Sequence, residues 1–591
     1  MSHTKTVYDP PSDGAARAGS TTNPCFEIGI TMAGAVSAGA YTAGAVDFLI
    51  EALDAWYAAK AADEDVPQHD VSLNVLTGAS AGSIVAAILA VCLNYRFPHC
   101  RAGTIKLDDD KLTGNPLYDT WVKQIDLLKL LTSHDLGEKQ PISSLLDSTC
   151  LTELTTDLLN YRAPTPGVMD RRYVSDTLEI IFTINNLRGV PYSVPMMGNH
   201  ERGHDMTRHA ATASFSLIRP SRQAVQTQPG TERLIQPNGS DVAAWHRLGQ
   251  AALASSAFPI GLAPRVVTQP ITFLDHVLKL PGEGINMPGC LPPPFSPPIY
   301  TAEQCIRLKP TWPGPAPAGS EYSMLCVDGG TFNNEPFELA RQALAGLTGR
   351  NPRGGLEAKC GVLMIDPLPE VTDFKKNNSE QDILATLSAL IGAWTNNSRF
   401  KPEEIALALQ ETIYSRFIMT PSRRKEGEPQ PDPVLASGPL AGFAGFLNVK
   451  FRHHDYMLGR RNCQRFLEEH FSLPAGNPLF VNWTDTQSDR YAIEKAAGRE
   501  LPIIPLMGQL RSSAKGGTDE PLPTWPGTGI RESEIKTAIS ERISALLNKM
   551  LAGKPWLCKR AGSVVIYFIK KCAAKEIMNS LLANLKKTTQ T

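Results

Sequence analysis

Within its first hundred residues the chain repeats one arrangement twice: a short apolar run, a turn of small residues, then a helix. Residues 26–32 (FEIGITM) read as a strand and residues 34–39 (GAVSAG) as a small-residue turn. The following YTAGAVDFLIEALDAWYAAK puts Val46, Leu49, Ile50, Leu53 and Trp56 at three- and four-residue spacings, one apolar helix face. Residues 73–77 (LNVLT) then run into Gly78-Ala79-Ser80-Ala81-Gly82 and the helical SIVAAILAVCL. Such alternation predicts an α/β fold, with a central mostly parallel sheet and covering helices.

The rest of the chain is organised around that start. Its 591 residues allow several units at ~150 residues each. Residues 1–24 are polar, rich in Pro, Gly and Ser, and have no apolar core of a signal peptide, so a mobile arm is expected. No run approaches the ~18–20 uninterrupted apolar residues of a membrane span, and a cytoplasmic protein is expected. Residues 116–131 read as helix, 178–184 as strand, the polar 196–240 as loop, 245–256 as helix and the Pro-rich 281–319 as an irregular excursion. A strand at 324–327 ends in Asp328-Gly329-Gly330, followed by helix 335–347 and strand 361–365. Beyond 371 the pattern is mostly helical, at 383–394, 402–417, 459–470 and a helix carrying Ile535, Ile539, Ile543, Leu546, Leu547 and Met550, with a Pro/Gly-rich connector at 502–528. The expected division is an arm (1–24), an α/β catalytic domain (25–370) with a long insertion (about 100–325), and a helical extension (371–591).

Composition excludes some functions. Lys and Arg number 58 against 59 Asp and Glu, so the basic excess of a nucleic-acid-binding chain is missing. With 42% hydrophobic residues, disorder is not the dominant state. Eleven scattered cysteines without a C-x-x-C pair make a disulfide framework or zinc site unexpected.

Three segments carry possible chemistry. Residues 78–82 match G-x-S-x-G between a strand and a helix, where a nucleophilic serine needs small neighbours to sit on a sharp turn. A plain small-residue turn is the other reading. A serine needs a base; His453 and His454, beside a helical segment, read as structural. Asp328 ends an apolar strand before two glycines and could take the serine proton directly, although Asp-Gly-Gly alone also describes a turn. The 34–39 turn could aim several backbone N–H groups at one anion, as an oxyanion hole or a phosphate cradle does. A nucleotide site would want a Lys-Ser/Thr pair or an acidic residue on the second strand, and neither is present.

In this order, the glycine-containing loop after strand 1, G-x-S-x-G after strand 2 and Asp-Gly-Gly after a late strand resemble the patatin-like phospholipase family, in particular bacterial patatin-related proteins. The resemblance covers about 26–370 and includes ALASSAFPIGLAP at 252–264 and the run after Asn333-Asn334-Glu335. It implies a three-layer patatin-like fold plus a helical C-terminal extension, and hydrolysis of acyl esters of phospholipids or related lipids by a Ser-Asp dyad. By position Ser80 matches the family nucleophile and Asp328 the base, with Gly78, Gly82, Gly329 and Gly330 as motif glycines. Backbone N–H groups of Gly34, Ala35, Val36, Ser37, Ala38 and Gly39, with that of Ala81, would hold the oxyanion. No metal or organic cofactor is implied. The first loop departs from the family's G-G-G-x-[RK]-G, keeping only Gly34 and Gly39 and carrying Ala38 in place of the basic residue.

Two other functions stay open, a catalytically latent lipid- or partner-binding scaffold and a small-ester or thioester hydrolase. The tail 551–591 carries eight Lys/Arg against one Glu. Its Ile577, Leu581 and Leu585 share a helix face with Met578 and Leu582, while Lys570, Lys571, Lys575, Lys586 and Lys587 could meet anionic headgroups, giving peripheral membrane contact. A core-packed terminal helix is the alternative.

Overall fold

Strand β1 (Cys25–Met32) passes through a single 3-10 turn (Val36–Ala38) into α1 (Gly39–Ala61), and β2 (Asp70–Gly78) leads into α2 (Ala81–Cys92). The computed structural model describes residues 23–552, apart from 280–304, 313–319, 347–350, 369–409 and positions 63, 108, 110, 162–166, 197–198, 223–224, 228–229, 238–240, 411, 425–426, 441 and 528. β1 and β2 pair in parallel, with Met32 beside Gly78, so both strand-to-helix turns open at the same edge of the sheet. Ligand sites of open α/β sheets lie at that carboxyl edge.

The sheet continues through β3 (Val174–Met196), β4 (Asn199–Ile218), β5 (Glu232–Leu234), β6 (Arg265–Pro270), β7 (Glu321–Asp328), β8 (Cys360–Ile365) and β9 (Arg416–Met419). Its nine strands run β9-β8-β1-β2-β3-β4-β5, with β7 on β3 and β6 on β7. From β9 to β3 every pair is parallel. β4 and β7 meet β3 antiparallel, which makes the sheet mixed but mostly parallel.

Helices cover both faces. On one, Phe337 and Ala340 of α5 (Phe337–Ala345) pack on Val75, Val362 and Met364. The larger core lies on the other face, where α1, α2 and α4 (Val242–Ser255) bury Val46, Leu49, Val85, Ile88 and Trp245 with Phe26, Ile28, Ile30 and Phe182. The result is the expected three-layer α/β arrangement. Between α2 and α4 lies α3 (Thr149–Leu159).

Described residues from 412 onward join this core. β9 extends the sheet edge, and α6 (Val449–Glu469) crosses α1 backbone to backbone. A Cβ on Gly44 would lie 1.9 Å from the Tyr456 carbonyl oxygen, and one on Gly459 2.1 Å from that of Tyr41. At the crossing the buried Arg460 guanidinium pairs with Asp47, Glu51 and Glu520, each at 2.6 Å. A buried cation of this kind is tolerated only when fully paired. Among the described residues one helical stretch, Val36–Ala61, is long and apolar enough to cross a membrane by length and composition, and 94% of its apolar window is buried inside the fold.

Three expectations are corrected. Residues 199–218 are not loop but strand β4, whose Ala213, Phe215 and Leu217 are buried while intervening positions include Thr and Ser; its mean composition therefore reads as polar. The expected helix over 116–131 breaks into Pro116–Tyr118, a π turn (Asp119–Gln124) and Leu127–Leu130, the last capped by the Asp126 side chain. The helix expected over 402–417 gives way at its end to β9. In α7 (Glu532–Leu551) Ile535 and Ile539 are buried against Leu131 and Leu447, whereas Met550 is exposed. The arm up to 22, the helix at 383–394 and the basic tail beyond 552 lie outside the described residues.

Candidate active site

Ser80 sits between β2 and α2 at φ 50 and ψ −124, a conformation that an L-residue keeps only when its surroundings fix it. Several bonds do so. The Ser80 N–H donates to Ser255 Oγ at 3.0 Å, and Ser255 Oγ shares a 2.7 Å hydrogen bond with Ser83 Oγ. The N–H groups of Gly82 and Ser83 close the turn on the carbonyls of Ala79 and Ser80. Neither motif glycine has room for a side chain: a Cβ at Gly82 would lie 2.1 Å from the Met32 carbonyl oxygen, and one at Gly78 2.7 Å from the Ser83 nitrogen.

Asp328 arrives from the far side of the sheet. It ends β7 opposite Ile184 of β3, and its N–H donates to the Ala257 carbonyl just after α4. The two sequence-predicted residues, 248 positions apart, meet here: Ser80 Oγ donates to Asp328 Oδ2 at 2.7 Å. Gly330 N–H donates to Oδ1 at 2.7 Å, and Gly329 turns the chain beside the Thr183 carbonyl. Burial pushes the Asp328 carboxyl up to about 6, outweighing the opposite pull of the hydrogen bonds from Ser80 and Gly330.

The 34–39 turn passes over the serine. A Cβ on Gly34 would lie 3.1 Å from Ser80 Cβ and 2.2 Å from Asn334 Oδ1. Four of its six N–H groups are already used: Gly34 to the Asn334 carbonyl, Ser37 to that of Gly442, Ala38 to that of Ala35 and Gly39 to that of Val36. Among the described residues the N–H groups of Ala35 and Val36 have no acceptor in the chain, and neither has that of Ala81 in the first turn of α2. Unpaired N–H groups at a helix start beside a hydroxyl favour negative charge. The site thus combines a serine hydroxyl, a carboxylate able to take its proton, and donors able to hold an anion.

The histidines take no part in these bonds. His453 Nδ1 faces the Tyr118 hydroxyl at 2.8 Å, and burial pushes its imidazole down to about 4; His454 Nδ1 lies 2.7 Å from Asp455 Oδ1. Among the described residues no group of three or more His, Cys, Asp or Glu is placed to hold a metal ion. An apolar crevice between α2, α3 and α4, lined by Ile84, Ala87, Thr155, Leu248, Ala252 and Leu253, begins one turn beyond Ser80.

Sequence reasoning placed Ser255 and Asn334 only within longer segments and missed the 436–445 stretch altogether. Neither a motif nor a periodicity marks ASGPLAGFAG.

A family model described as Patatin-like phospholipase matches residues 30–341, from within β1 to within α5 and including both Ser80 and Asp328. The chain belongs to this family. Membership in the patatin-like phospholipases places it among lipid acyl hydrolases. The uncharacterized protein y4iI of Sinorhizobium fredii (strain NBRC 101917 / NGR234) is 34% identical in an alignment of 545 positions that covers 85% of this chain and 72% of that protein. Similarity therefore reaches well past the patatin-like match into the region that carries β9 and α6. The crystal structure of VipD from Legionella pneumophila aligns over 95% of this chain and 91% of its own, with 10% identity and a TM-score of 0.22.

Proposed function

We propose that the protein hydrolyses acyl esters of phospholipids or related lipids through a Ser80–Asp328 dyad. The observation that carries this reading is the 2.7 Å hydrogen bond from Ser80 Oγ to the buried Asp328 carboxylate, beside N–H groups with no other acceptor.

Asp328 takes the Ser80 proton as Oγ bonds to the ester carbon, and the carbonyl π pair moves to oxygen. The N–H groups of Ala35, Val36 and Ala81 hold that oxyanion. Collapse expels the alcohol, which leaves with the proton from Asp328, and the acyl group stays on Ser80. Water then gives a proton to Asp328 and attacks the acyl-enzyme; the acid departs and Ser80 regains its proton. This is the acid-base and covalent logic of serine hydrolases with one carboxylate doing the work of the histidine.

The test is reaction of the purified full-length protein with a fluorophosphonate, mass mapping of the adduct, and hydrolysis of phospholipid vesicles and p-nitrophenyl esters. Expected are labelling at Ser80 and turnover, with Ser80→Ala losing both and Asp328→Asn losing on the order of 10³-fold in kcat while a residual rate from the donors persists. Absence of labelling with and without vesicles would reject the dyad and favour a lipid- or partner-binding role. Turnover of soluble esters alone would reject the lipid substrate and leave a small-ester or thioester hydrolase.

A further inference from the structure

Val36 stands at φ 50, in the left-handed region where a β-branched side chain is strained. The family motif has glycine at this position, and glycine would adopt that φ freely. Here the turn is instead held from both sides. Gly34 N–H donates to the Asn334 carbonyl at 3.2 Å, and the Gly442 carbonyl accepts from both the N–H of Ser37, at 3.1 Å, and its hydroxyl.

The strand of chain around Gly442 is built for this contact. Gly442 itself has φ 88, and a Cβ there would lie 3.2 Å from the Ala35 carbonyl oxygen and 3.4 Å from Val36 Cβ. The backbone therefore lies directly against the turn. Three residues on, a Cβ at Gly445 would meet the Ser37 and Ser437 hydroxyls at 2.5 and 2.4 Å. The segment is fastened in its turn by α6: the buried Asp455 carboxylate accepts the N–H of Ala436 on one oxygen and of Ser437 on the other, both at 2.8 Å. α6 also crosses α1, the helix that begins at Gly39. One helix thus grips the turn through residues 436–445 and the element that follows it.

We propose that residues 436–455 are a positioning clamp for the 34–39 turn, acting through Ser37 and Asp455 to keep the Ala35 and Val36 N–H groups aimed at the oxyanion. The inference rests on the reading that these two groups serve as oxyanion donors. Neither Ser37 nor Asp455 touches the reacting atoms; their effect passes through the shape of the turn. Loss of the clamp lets Val36 relax out of the left-handed region and swings both donors away.

The test uses full-length Ser37→Ala and Asp455→Asn, each alone and combined with Val36→Gly, with two readouts. For hydrolysis of a soluble p-nitrophenyl ester, kcat is expected to fall on the order of 10- to 100-fold while KM stays within about twofold, short of the ~10²–10³-fold that removal of a whole donor produces. Adding Val36→Gly is expected to return most of the lost kcat, because glycine adopts the turn's positive φ without the strain that the clamp otherwise opposes. For amide hydrogen exchange, the N–H groups of residues 37 and 38 are expected to exchange faster in both clamp variants.

Unchanged kcat in folded clamp variants, or no recovery with Val36→Gly, overturns the proposal, as does unchanged exchange. If Asp455→Asn does not fold, Ser37→Ala, which removes only a hydroxyl, carries the test. A wild-type protein with neither hydrolysis nor Ser80 labelling rejects the dyad reading instead, and the exchange data then judge the clamp by themselves.

Discussion

At the scale of single residues, the proposed base Asp328 could act only as a carboxylate, yet it is buried where ionisation is disfavoured. With its carboxyl raised to about 6, the basic form is scarce in acid, so kcat/KM is expected to climb through a single limb near pH 6 and level above it. A pH–rate profile of wild type beside Asp328→Asn checks this: a limb near the ordinary carboxylate value would show that burial does not raise the Asp328 carboxyl, and a wild-type limb that persists in Asp328→Asn would show that Asp328 is not the base. The same shift has a stability sign. A carboxyl whose folded value is raised contributes fully below its unfolded value near 3.9 and loses that contribution as pH rises through about 6. Above that pH the ionised group costs roughly 3 kcal/mol, so Asp328→Asn is expected to melt higher than wild type at pH 8 and no higher at pH 3. Thermal melts at the two pH values decide it. Ser80 and Asp328 stood out in the sequence by ending apolar runs beside small residues, and the resemblance to the patatin-like phospholipases gave them their expected roles. Which N–H groups of the 34–39 turn remain available was not legible there, because two of the acceptors that use up the others, the carbonyls of Asn334 and Gly442, lie hundreds of residues away.

Among elements, those read correctly are continuous apolar strands and apolar helices set off from one another by turns of small residues. β1, α1, β2 and α2 are such elements, and α1 keeps all of Val46, Leu49, Ile50, Leu53 and Trp56 buried. β4 escaped because its long antiparallel ladder on β3 needs only alternate apolar residues, and β9 because four residues at a sheet edge carry too short a pattern. The α1–α6 crossing was equally invisible, since isolated glycines inside helical patterns read as weaknesses rather than contact points. Gly459→Val is expected to force the helices apart and lower stability by ~3 kcal/mol or more, measured by urea unfolding. A substitution tolerated within ~1 kcal/mol would mean that the crossing is looser than described.

For the whole molecule, the sheet and its cover do not end where the patatin-like match ends. The match stops at 341, within α5, whereas β8, β9 and α6 complete the edge of the sheet and the packing of α1. A chain cut after residue 370 loses β9 and α6, baring one edge of β8 and the apolar surface of α1. It is expected to aggregate more than the full chain when the two are expressed side by side; a soluble fragment with native-like near-ultraviolet dichroism would overturn this.

The dependence of α1 on α6 also sets an order of events at the ribosome. α1 emerges early, and the helix that covers it follows on the order of 400 residues later, roughly 20–80 s at ordinary rates of synthesis. Throughout that interval the face of α1 that meets α6, on an apolar helix of membrane-spanning length, lacks that cover. The chain's yield in a cell is therefore governed by what shields that helix during translation, and codon choice or chaperone supply between the two helices becomes a lever on how much active protein is made.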